Sequence, residues 1–212
     1  VTREKKTLAP PKLFDLTALQ REANRIYGYT AKQTLDLAQA LYEKRLITYP
    51  RTDSNFLTDD MGDTAAKIAA LLCGKLPFMQ GTELTPDITR LLDSKKVSDH
   101  HAIIPTAEIA GADLAALPTG ERNVLYMIAA RLLCAVGEPH AYAETAVTLE
   151  CGDGSFTVGG RTETAIGWKE TERAYLASLK KAPKEAPSTL PELAEGQTLA
   201  GGDALLKSGT TT

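Results

Sequence analysis

The sequence has few of the residues that build disulfide frameworks, metal sites and membrane spans. Among 212 residues there are three cysteines, three histidines and one tryptophan. Cys73, Cys134 and Cys151 are odd in number and far apart, and none share a C-x-x-C spacing, so neither a disulfide framework nor a zinc site is supported. A reducing cytoplasm fits this cysteine content best. Since no apolar run approaches the ~18 residues of a membrane helix, and the first residues lack the apolar stretch of a signal peptide, we expect no membrane anchor.

Charge of one sign is not in excess either. The 24 Lys and Arg residues stand against 27 Asp and Glu residues, which gives a formal net charge of −3. No bulk basic field therefore argues for a nucleic-acid partner, and any contact with DNA must depend on the local placement of a few cations.

Several metal-binding and phosphate-binding motifs are missing. The sequence has no Asp-x-Asp-x-Glu cluster, no His-x-x-x-His pair, no G-x-x-x-x-G-K loop and no G-x-S-x-G turn. A complete metal-dependent active site is therefore not expected within these residues, and we predict no metal ligand among them.

What is present is the composition of a globular protein, with 43% hydrophobic and 24% charged residues. The length allows one large domain, or one domain and a smaller partner, with a sizeable buried core. The chain begins at Val1 rather than Met, and residues 208–212 follow no helix or strand period. We therefore expect a fragment of a longer protein.

Two helix-capping patterns follow one another near the N-terminus. Thr17 with Gln20, and Thr30 with Gln33, have the spacing of a capping box, in which the Thr hydroxyl accepts a bond from a backbone N–H and the Gln side chain reaches back. Two apolar stripes at helical spacing accompany them: Leu19, Ala23, Ile26 and Tyr27, then Leu37, Ala38, Leu41 and Tyr42. Helices joined by so short a break must pack together, as a helix-turn-helix-like unit or as an ordinary helical hairpin.

The residues that follow predict further helices after an extended segment. Residues 46–50 are β-prone and end in a proline, which cannot donate to a sheet. Thr58 is placed to cap a helix over residues 58–74. An apolar stripe predicts a longer helix over residues 121–137, with glycine at its end.

The pattern changes to a period of two near residue 143. Alternation over residues 143–151, a glycine-rich turn at 152–154 and a return over 156–158 predict a β-hairpin. A further strand is predicted over 162–166, and one short element over 190–193. The fold class is therefore predicted as α+β, mainly helical and followed by a partial β domain. We assign residues 1–12 to a linker or the end of a preceding element, 13–142 to the helical domain, and 143–212 to the β segment and a tail.

Tyr49 and Arg51 form the first candidate site. A tyrosine phenol is ordinarily protonated, with a pKa near ~10, so a nucleophilic role needs a neighbouring cation or an organised phosphate. Arg51 can hold a phosphate through two N–H groups. On an extended backbone the two side chains project to the same side, so that phosphate could lie within reach of the Tyr49 hydroxyl. The alternative is a structural tyrosine.

His100 and His101 are the second concentration of titratable groups. Adjacent histidines without a third ligand make a poor metal site. With Ser98 and Lys96 close by, the pair suits hydrogen bonding to a phosphate, or stabilisation of a charged transition state. A loop pair without a role is the alternative. Structural roles are predicted for His140, Trp168, Asp59 and Asp60.

Several runs of sequence resemble the type IA DNA topoisomerases. They are residues 13–24, 34–39 and 41–43, and the run Leu-Ile-Thr-Tyr-Pro-Arg-Thr-Asp-Ser at 46–54. The motif Asp-His-His-Ala-Ile-Ile-Pro-Thr at 99–106 looks like the topoisomerase III subgroup in particular. The family's β segment is matched at Phe156, Gly160, Gly167 and Trp168. The resemblance covers roughly residues 13–170.

The resemblance implies an activity and roles for the candidate residues. Residues 13–142 would be the active-site tyrosine (gate) domain, and residues 143–212 part of the gate arch with a tail. The tyrosine that matches Tyr49 attacks single-stranded DNA, which leaves a 5′-phosphotyrosyl link and a free 3′-hydroxyl. Religation follows passage of another strand, without ATP. Arg51 would steady the scissile phosphate and His100 would position it or stabilise charge, whereas His101, Ser98 and Lys96 would contact DNA.

The resemblance also implies partners and a cofactor. Mg²⁺ would be bound by acidic residues of an N-terminal domain that precedes residue 1, which agrees with the missing carboxylate cluster. We expect the chain to act on single-stranded DNA together with the remaining domains of a full-length, monomeric protein, and to be unable to cleave DNA alone.

Three other functions stay open from the residues. A non-catalytic nucleic-acid-binding module would bind in a salt-dependent way that survives Tyr49→Phe. A rolling-circle relaxase or tyrosine recombinase also uses a tyrosine, but the His-apolar-His pattern and the His-x-x-Arg motif are absent. A structural interaction domain has only the alternating β segment in its favour.

Overall fold

The computed structural model describes residues 1–81, 84–180 and 190–200. Within these ranges the chain has an α+β fold, as predicted, with five α-helices and one three-stranded sheet. The helices are α1 Leu16–Tyr27, α2 Ala31–Glu43, α3 Gly62–Lys75, α4 Thr119–Ala135 and α5 Lys169–Ser178. The strands are β1 Thr2–Leu8, β2 His140–Cys151 and β3 Gly154–Ala165. Short 3-10 turns cover Asp59–Met61, Pro77–Met79, Thr89–Leu91, Ser94–Lys96 and Ala107–Ala110.

The first two helices begin at side-chain caps, one of them two residues earlier than predicted. Asp15 caps α1, because its Oδ1 accepts a bond of 2.7 Å from the Ala18 N–H, so the predicted cap at Thr17 is wrong. The capping box of α2 is confirmed: Thr30 Oγ1 accepts from the Gln33 N–H at 3.2 Å, and Gln33 Oε1 accepts from the Thr30 N–H at 2.9 Å.

The next two helices, α3 and α4, contribute to the core together with the segments between the helices. Thr58 makes no capping bond, and the 3-10 turn Asp59–Met61 leads into α3 instead, so Asp59 and Asp60 lie at a helix start as predicted. Helix α4 is buried on nearly all sides, and it ends where Arg90 donates to the carbonyls of Ala135 and Gly137. The largest fully buried side chains are Phe14, Leu13, Leu19, Leu41, Ile47, Leu57, Leu72, Leu76, Met79, Ile103, Ile104 and Ile109.

The sheet is antiparallel in the order β1-β2-β3. The predicted hairpin is confirmed, and its turn uses Gly152 at φ +57°, a conformation that glycine adopts readily. The predicted strand over 162–166 is part of one continuous β3. Residues Thr2–Leu8 form a strand paired with β2.

Trp168 joins the sheet to the helices. Its side chain is 9% exposed, its indole N–H donates to the Leu8 carbonyl at 3.1 Å, and its backbone N–H donates to the Glu138 carbonyl at 2.8 Å. Gly167 precedes it at φ +52°, with the Pro139 carbonyl oxygen 2.4 Å from where a Cβ would lie. Three connections between helices and sheet therefore meet around this one indole, which is the structural role predicted for it.

The remaining structural predictions have mixed outcomes. His140 is buried, with Nδ1 3.2 Å from the Ile166 carbonyl oxygen, as expected of a structural histidine. The short element predicted over 190–193 is wrong, because these residues form neither helix nor strand. Residues 208–212 lie outside the described residues. The division into domains stays a prediction, although β2 begins at His140, three residues before the proposed boundary.

Candidate active site

The candidate site is built from two irregular segments, residues 46–57 and 91–106. Thr48 ties them together three times: its backbone N–H donates to the Ile104 carbonyl at 2.9 Å, its hydroxyl donates to the Ala102 carbonyl at 3.0 Å, and it accepts from the Ile104 N–H at 3.0 Å. Neither segment is a regular strand, so side chains supply part of the pairing that a sheet would give. Tyr49, the next residue, is therefore held by its neighbour.

The same two segments stay paired beyond Tyr49. Thr52 Oγ1 donates to the His100 carbonyl at 2.7 Å, and Ser54 Oγ donates to the Lys96 carbonyl at 2.8 Å. Both hydroxyl residues are buried, at 8% and 5% exposure. Because buried hydroxyls keep their hydrogen bonds, these contacts fix the course of residues 96–100 against residues 52–54.

A third segment, residues 12–16, is hydrogen-bonded to both of the first two. The Leu16 N–H donates to the Thr52 carbonyl at 3.0 Å, and the Ile103 N–H donates to the Phe14 carbonyl at 2.8 Å. The Phe14 ring is buried, with the Arg131 guanidinium of α4 4.1 Å from its centroid. The candidate site is thus connected to helix α4 of the core through this segment.

Tyr49 lies in a row of three rings. The His100 imidazole centroid is 4.4 Å from the Tyr49 centroid at an interplanar angle of 51°, and the Tyr42 ring meets Tyr49 edge-on at 5.3 Å. Tyr49 is half-buried, whereas His100 is exposed and Tyr42 is 40% exposed. The structure therefore brings together two predicted site residues that are 51 positions apart. It also places Tyr42, predicted as part of a core stripe, at the surface beside them.

Arg51 points to solvent on the same segment. Burial alternates along the chain here: Pro50 and Thr52 are buried, while Arg51 and Asp53 are exposed. Such alternation is the pattern of an extended backbone, in which residues 49 and 51 share a side. Within the described ranges, the Arg51 side chain makes no hydrogen bond or ion pair, so its guanidinium is available to an anion.

The other predicted residues lie around this centre. His101 is half-buried, with Nδ1 2.9 Å from the Ala102 carbonyl oxygen, and Ser98 Oγ donates to Asp53 Oδ1 at 3.3 Å. Lys96 pairs with Asp93 at 2.7 Å, and its hydrogen bond lowers the pKa of that carboxyl. All three residues therefore already have partners in the protein, unlike Arg51.

The described part of the chain has no cluster of side chains that would hold a metal ion. Nowhere in ranges 1–81, 84–180 and 190–200 do three His, Cys, Asp or Glu side chains gather closely enough to hold an ion. Asp53 is the acidic residue of the segment that carries Tyr49, and it supplies a single carboxylate. Mg²⁺ sites in proteins combine carboxylates with substrate phosphates and waters. The expectation that Mg²⁺ is bound by another domain stays a prediction.

Comparison with known proteins now gives the family. The family model for DNA topoisomerase matches residues 1–212. The chain belongs to the DNA topoisomerase family. It is 41% identical over 207 residues to "DNA topoisomerase 3" of Bacillus licheniformis and 38% identical over 210 residues to "DNA topoisomerase 3" of Bacillus subtilis. These names confirm the predicted resemblance to the topoisomerase III subgroup.

The matches cover most of this chain but a small part of its relatives. Each of these two alignments spans 92% of this chain and 27% of the relative. A solved full-length topoisomerase I of Thermotoga maritima shares the fold, with a TM-score of 0.67 and 24% identity over 92% of this chain and 31% of that one. No helix in the described part of the topoisomerase chain has the length and apolar character needed to cross a membrane.

Proposed function

We propose that this chain is the part of a type IA topoisomerase that carries the nucleophilic tyrosine. The observation that supports it best is the placement of Tyr49, half-buried against His100 on a segment that also carries the unpaired Arg51. A nucleophile, a group that can donate a hydrogen bond and a phosphate-binding cation are the parts that transesterification at phosphorus needs.

In the proposed reaction, Arg51 holds the scissile phosphate of a single DNA strand. The Tyr49 oxygen attacks the phosphorus and gives its proton to solvent, so that a bond forms between this oxygen and the phosphorus while the bond from the phosphorus to the 3′-oxygen breaks. The 5′-phosphate stays on Tyr49 as an ester, and the departing 3′-oxygen takes up a proton from solvent as a hydroxyl. His100 hydrogen-bonds to the phosphate and stabilises the charge that builds on it. The reverse reaction restores the strand after another strand has passed. Because one ester replaces another, no ATP is required.

The finer assignments belong to this proposal. His101, Ser98 and Lys96 contact the DNA beside the reacting phosphate. Mg²⁺ would be held by acidic residues of another domain and would supply positive charge for the phosphate. The protein acts in the cytoplasm. It is a monomer, and sedimentation of the full-length chain would measure this oligomeric state. The 212 residues alone do not cleave DNA, and strand cleavage by this chain that is abolished by Tyr49→Phe would contradict that statement.

The test is covalent capture. The chain is extended to the full length of its relatives, incubated with Mg²⁺ and a single-stranded oligonucleotide labelled at its 3′ end, and denatured, because the 5′-phosphotyrosyl link keeps the fragment on the 3′ side of the break. We expect label to stay on the protein with Tyr49 and to be lost with Tyr49→Phe, while Tyr42→Phe keeps it. Binding of DNA without an adduct in either protein would contradict the proposed chemistry and leave a nucleic-acid-binding module.

A further inference from the structure

The Phe56 ring contacts two lysines that come from different segments of the site. The Lys12 ammonium is 5.3 Å and the Lys96 ammonium is 4.5 Å from the centroid of the Phe56 ring. Both lysines are exposed and Phe56 is half-buried. An aromatic face attracts cations, so each ammonium group has a favourable contact with this one ring.

One of the two ammonium groups has an acidic partner. Lys96 pairs with Asp93 at 2.7 Å, whereas Lys12 makes no ion pair with any described residue. The charge of Lys12 is therefore not neutralised by a described carboxylate, and a phosphate bound beside the ring would supply the missing counter-charge.

This cluster is fixed to the same scaffold as Tyr49. Residue 12 begins the segment that is bonded to Thr52 and Ile103, and the Phe56 carbonyl accepts from the Ala102 N–H at 2.9 Å. Seven residues separate Tyr49 from Phe56, which limits their separation to about 25 Å even for a fully extended chain. Grooves for single-stranded nucleic acid accommodate roughly 4–16 nucleotides, so one strand can reach both places.

We propose that Lys12, Phe56 and Lys96 form a second phosphate-binding subsite, which holds the backbone of the single-stranded DNA at a phosphate other than the one Tyr49 attacks. This subsite rests on the proposed function and extends it by Lys12 and Phe56. The ring positions the two ammonium groups, and the ammonium groups bind the phosphate. The subsite contacts the backbone, so it does not discriminate between bases.

The test is the salt dependence of DNA binding. The 212-residue chain is titrated against a fluorescent oligonucleotide of about 16 nucleotides over a series of KCl concentrations, with anisotropy as the readout. For single strands the slope of log K against log[salt] changes by about 0.7 per phosphate contact. We expect Lys12→Met and Lys96→Met each to lower the slope by about that amount, and the arginine variants to keep it.

Two further variants make the test specific. Lys67→Met on α3 removes the same charge from an exposed lysine with no ring or carboxylate partner among the described residues, and should leave the slope unchanged. Phe56→Leu keeps both charges but removes the ring, and should weaken binding about two- to fivefold, as expected for one exposed cation–π contact.

The outcomes separate this subsite from the proposed function. Suppose that the wild type binds DNA and the extended protein forms the Tyr49 adduct, but Lys12→Met leaves the salt slope unchanged, as Lys67→Met should. That result would overturn the subsite alone. A wild-type chain that does not bind single-stranded DNA, together with no adduct, would overturn the proposed function as well.

Discussion

The imidazole of His100 contacts the ring of Tyr49, with 4.4 Å between the centroids, although the two residues are 51 positions apart, on segments that side-chain and backbone hydrogen bonds join. The contact puts an imidazole, whose ring nitrogens can hydrogen-bond to a phosphate, beside a phenol. Since His100 is exposed, a bound phosphate can reach it without rearrangement of the core.

Replacement of His100 should separate chemistry from packing. His100→Phe keeps an aromatic ring against Tyr49 but loses both nitrogens, so we expect adduct formation by the extended protein to slow by about 10²-fold with little change in the melting temperature. The measurement is single-turnover formation of the covalent DNA adduct.

His101→Phe is the matched control for that variant. The His101 ring nitrogen faces the Ala102 carbonyl and not Tyr49, so this change should alter the dissociation constant for DNA more than the rate of adduct formation. An equal loss of rate in both variants would argue against a specific role of His100.

Glu22 makes the stability of the helical part depend on pH. Its carboxylate is half-buried and bonds to Arg25 at 2.7 Å, which lowers its pKa below 4.5, with a smaller contribution from Arg131. A carboxyl with a lowered folded-state pKa stabilises the fold fully above its unfolded pKa, and this contribution disappears as the pH falls through the folded value.

We therefore expect Glu22→Gln to lower the free energy of unfolding by about 1 kcal/mol at pH 7, and this effect to shrink as the pH falls below the unfolded pKa and through the lowered folded pKa of the carboxyl. Urea denaturation over a series of pH values from 7 downwards measures it. Asp36→Asn, which breaks an exposed pair with Lys32, should cost at most about 0.5 kcal/mol throughout. A pH-independent effect of Glu22→Gln would show that its role is packing alone.

The three cysteines should differ in reactivity. Burial raises the pKa of Cys134 to about 12 and raises the pKa of the half-buried Cys73, whereas Cys151 is exposed at the hairpin end. Because the thiolate is the reactive form, iodoacetamide at pH 8 should label Cys151 first, Cys73 more slowly and Cys134 only after unfolding. Mass spectrometry of peptides reads out the order, and rapid native labelling of Cys134 would mean that α4 opens locally.

Gly167 should be the least replaceable glycine of the junction. An alanine Cβ there would lie 2.4 Å from the Pro139 carbonyl oxygen at a φ of +52°, so we expect Gly167→Ala to destabilise the fold by more than about 2 kcal/mol. Gly28 has a similar φ of +72° and open space around it, so Gly28→Ala should cost about 1 kcal/mol. Equal losses in thermal unfolding would remove the steric part of this explanation.

Local sequence patterns predicted the fold well where the contacting residues are close together in the sequence. The capping box at Thr30 and the hairpin turn at Gly152 each depend on residues a few positions apart. Strand β1 was not predicted, because its side chains are exposed on both faces and leave no alternation to read. The cap of α1 is Asp15 and not Thr17, because the Asp15 carboxylate, two residues upstream, accepts the bond from the Ala18 N–H.

The candidate site was predictable only in parts. Tyr49, Arg51 and His100 could each be chosen by residue type and by resemblance. The two segments that carry them are joined by hydrogen bonds of Thr48, Thr52 and Ser54 to partners more than 40 positions away, and the sequence does not reveal these bonds. Tyr42 and Lys12 were missed for a related reason. Helical spacing placed the tyrosine in a core stripe, and nothing in the sequence joins the lysine to Phe56.

The junction at Trp168 has a mechanical consequence. Strands β2 and β3 have 12 residues each, so the ribbon extends roughly 40 Å at ~3.3 Å per residue, and most of its side chains are exposed. A ribbon of this length acts as a lever about the junction: a tilt of about 5° at the indole would move its far end by roughly 3.5 Å. Small differences in the packing of one tryptophan would therefore become larger displacements at the hairpin turn.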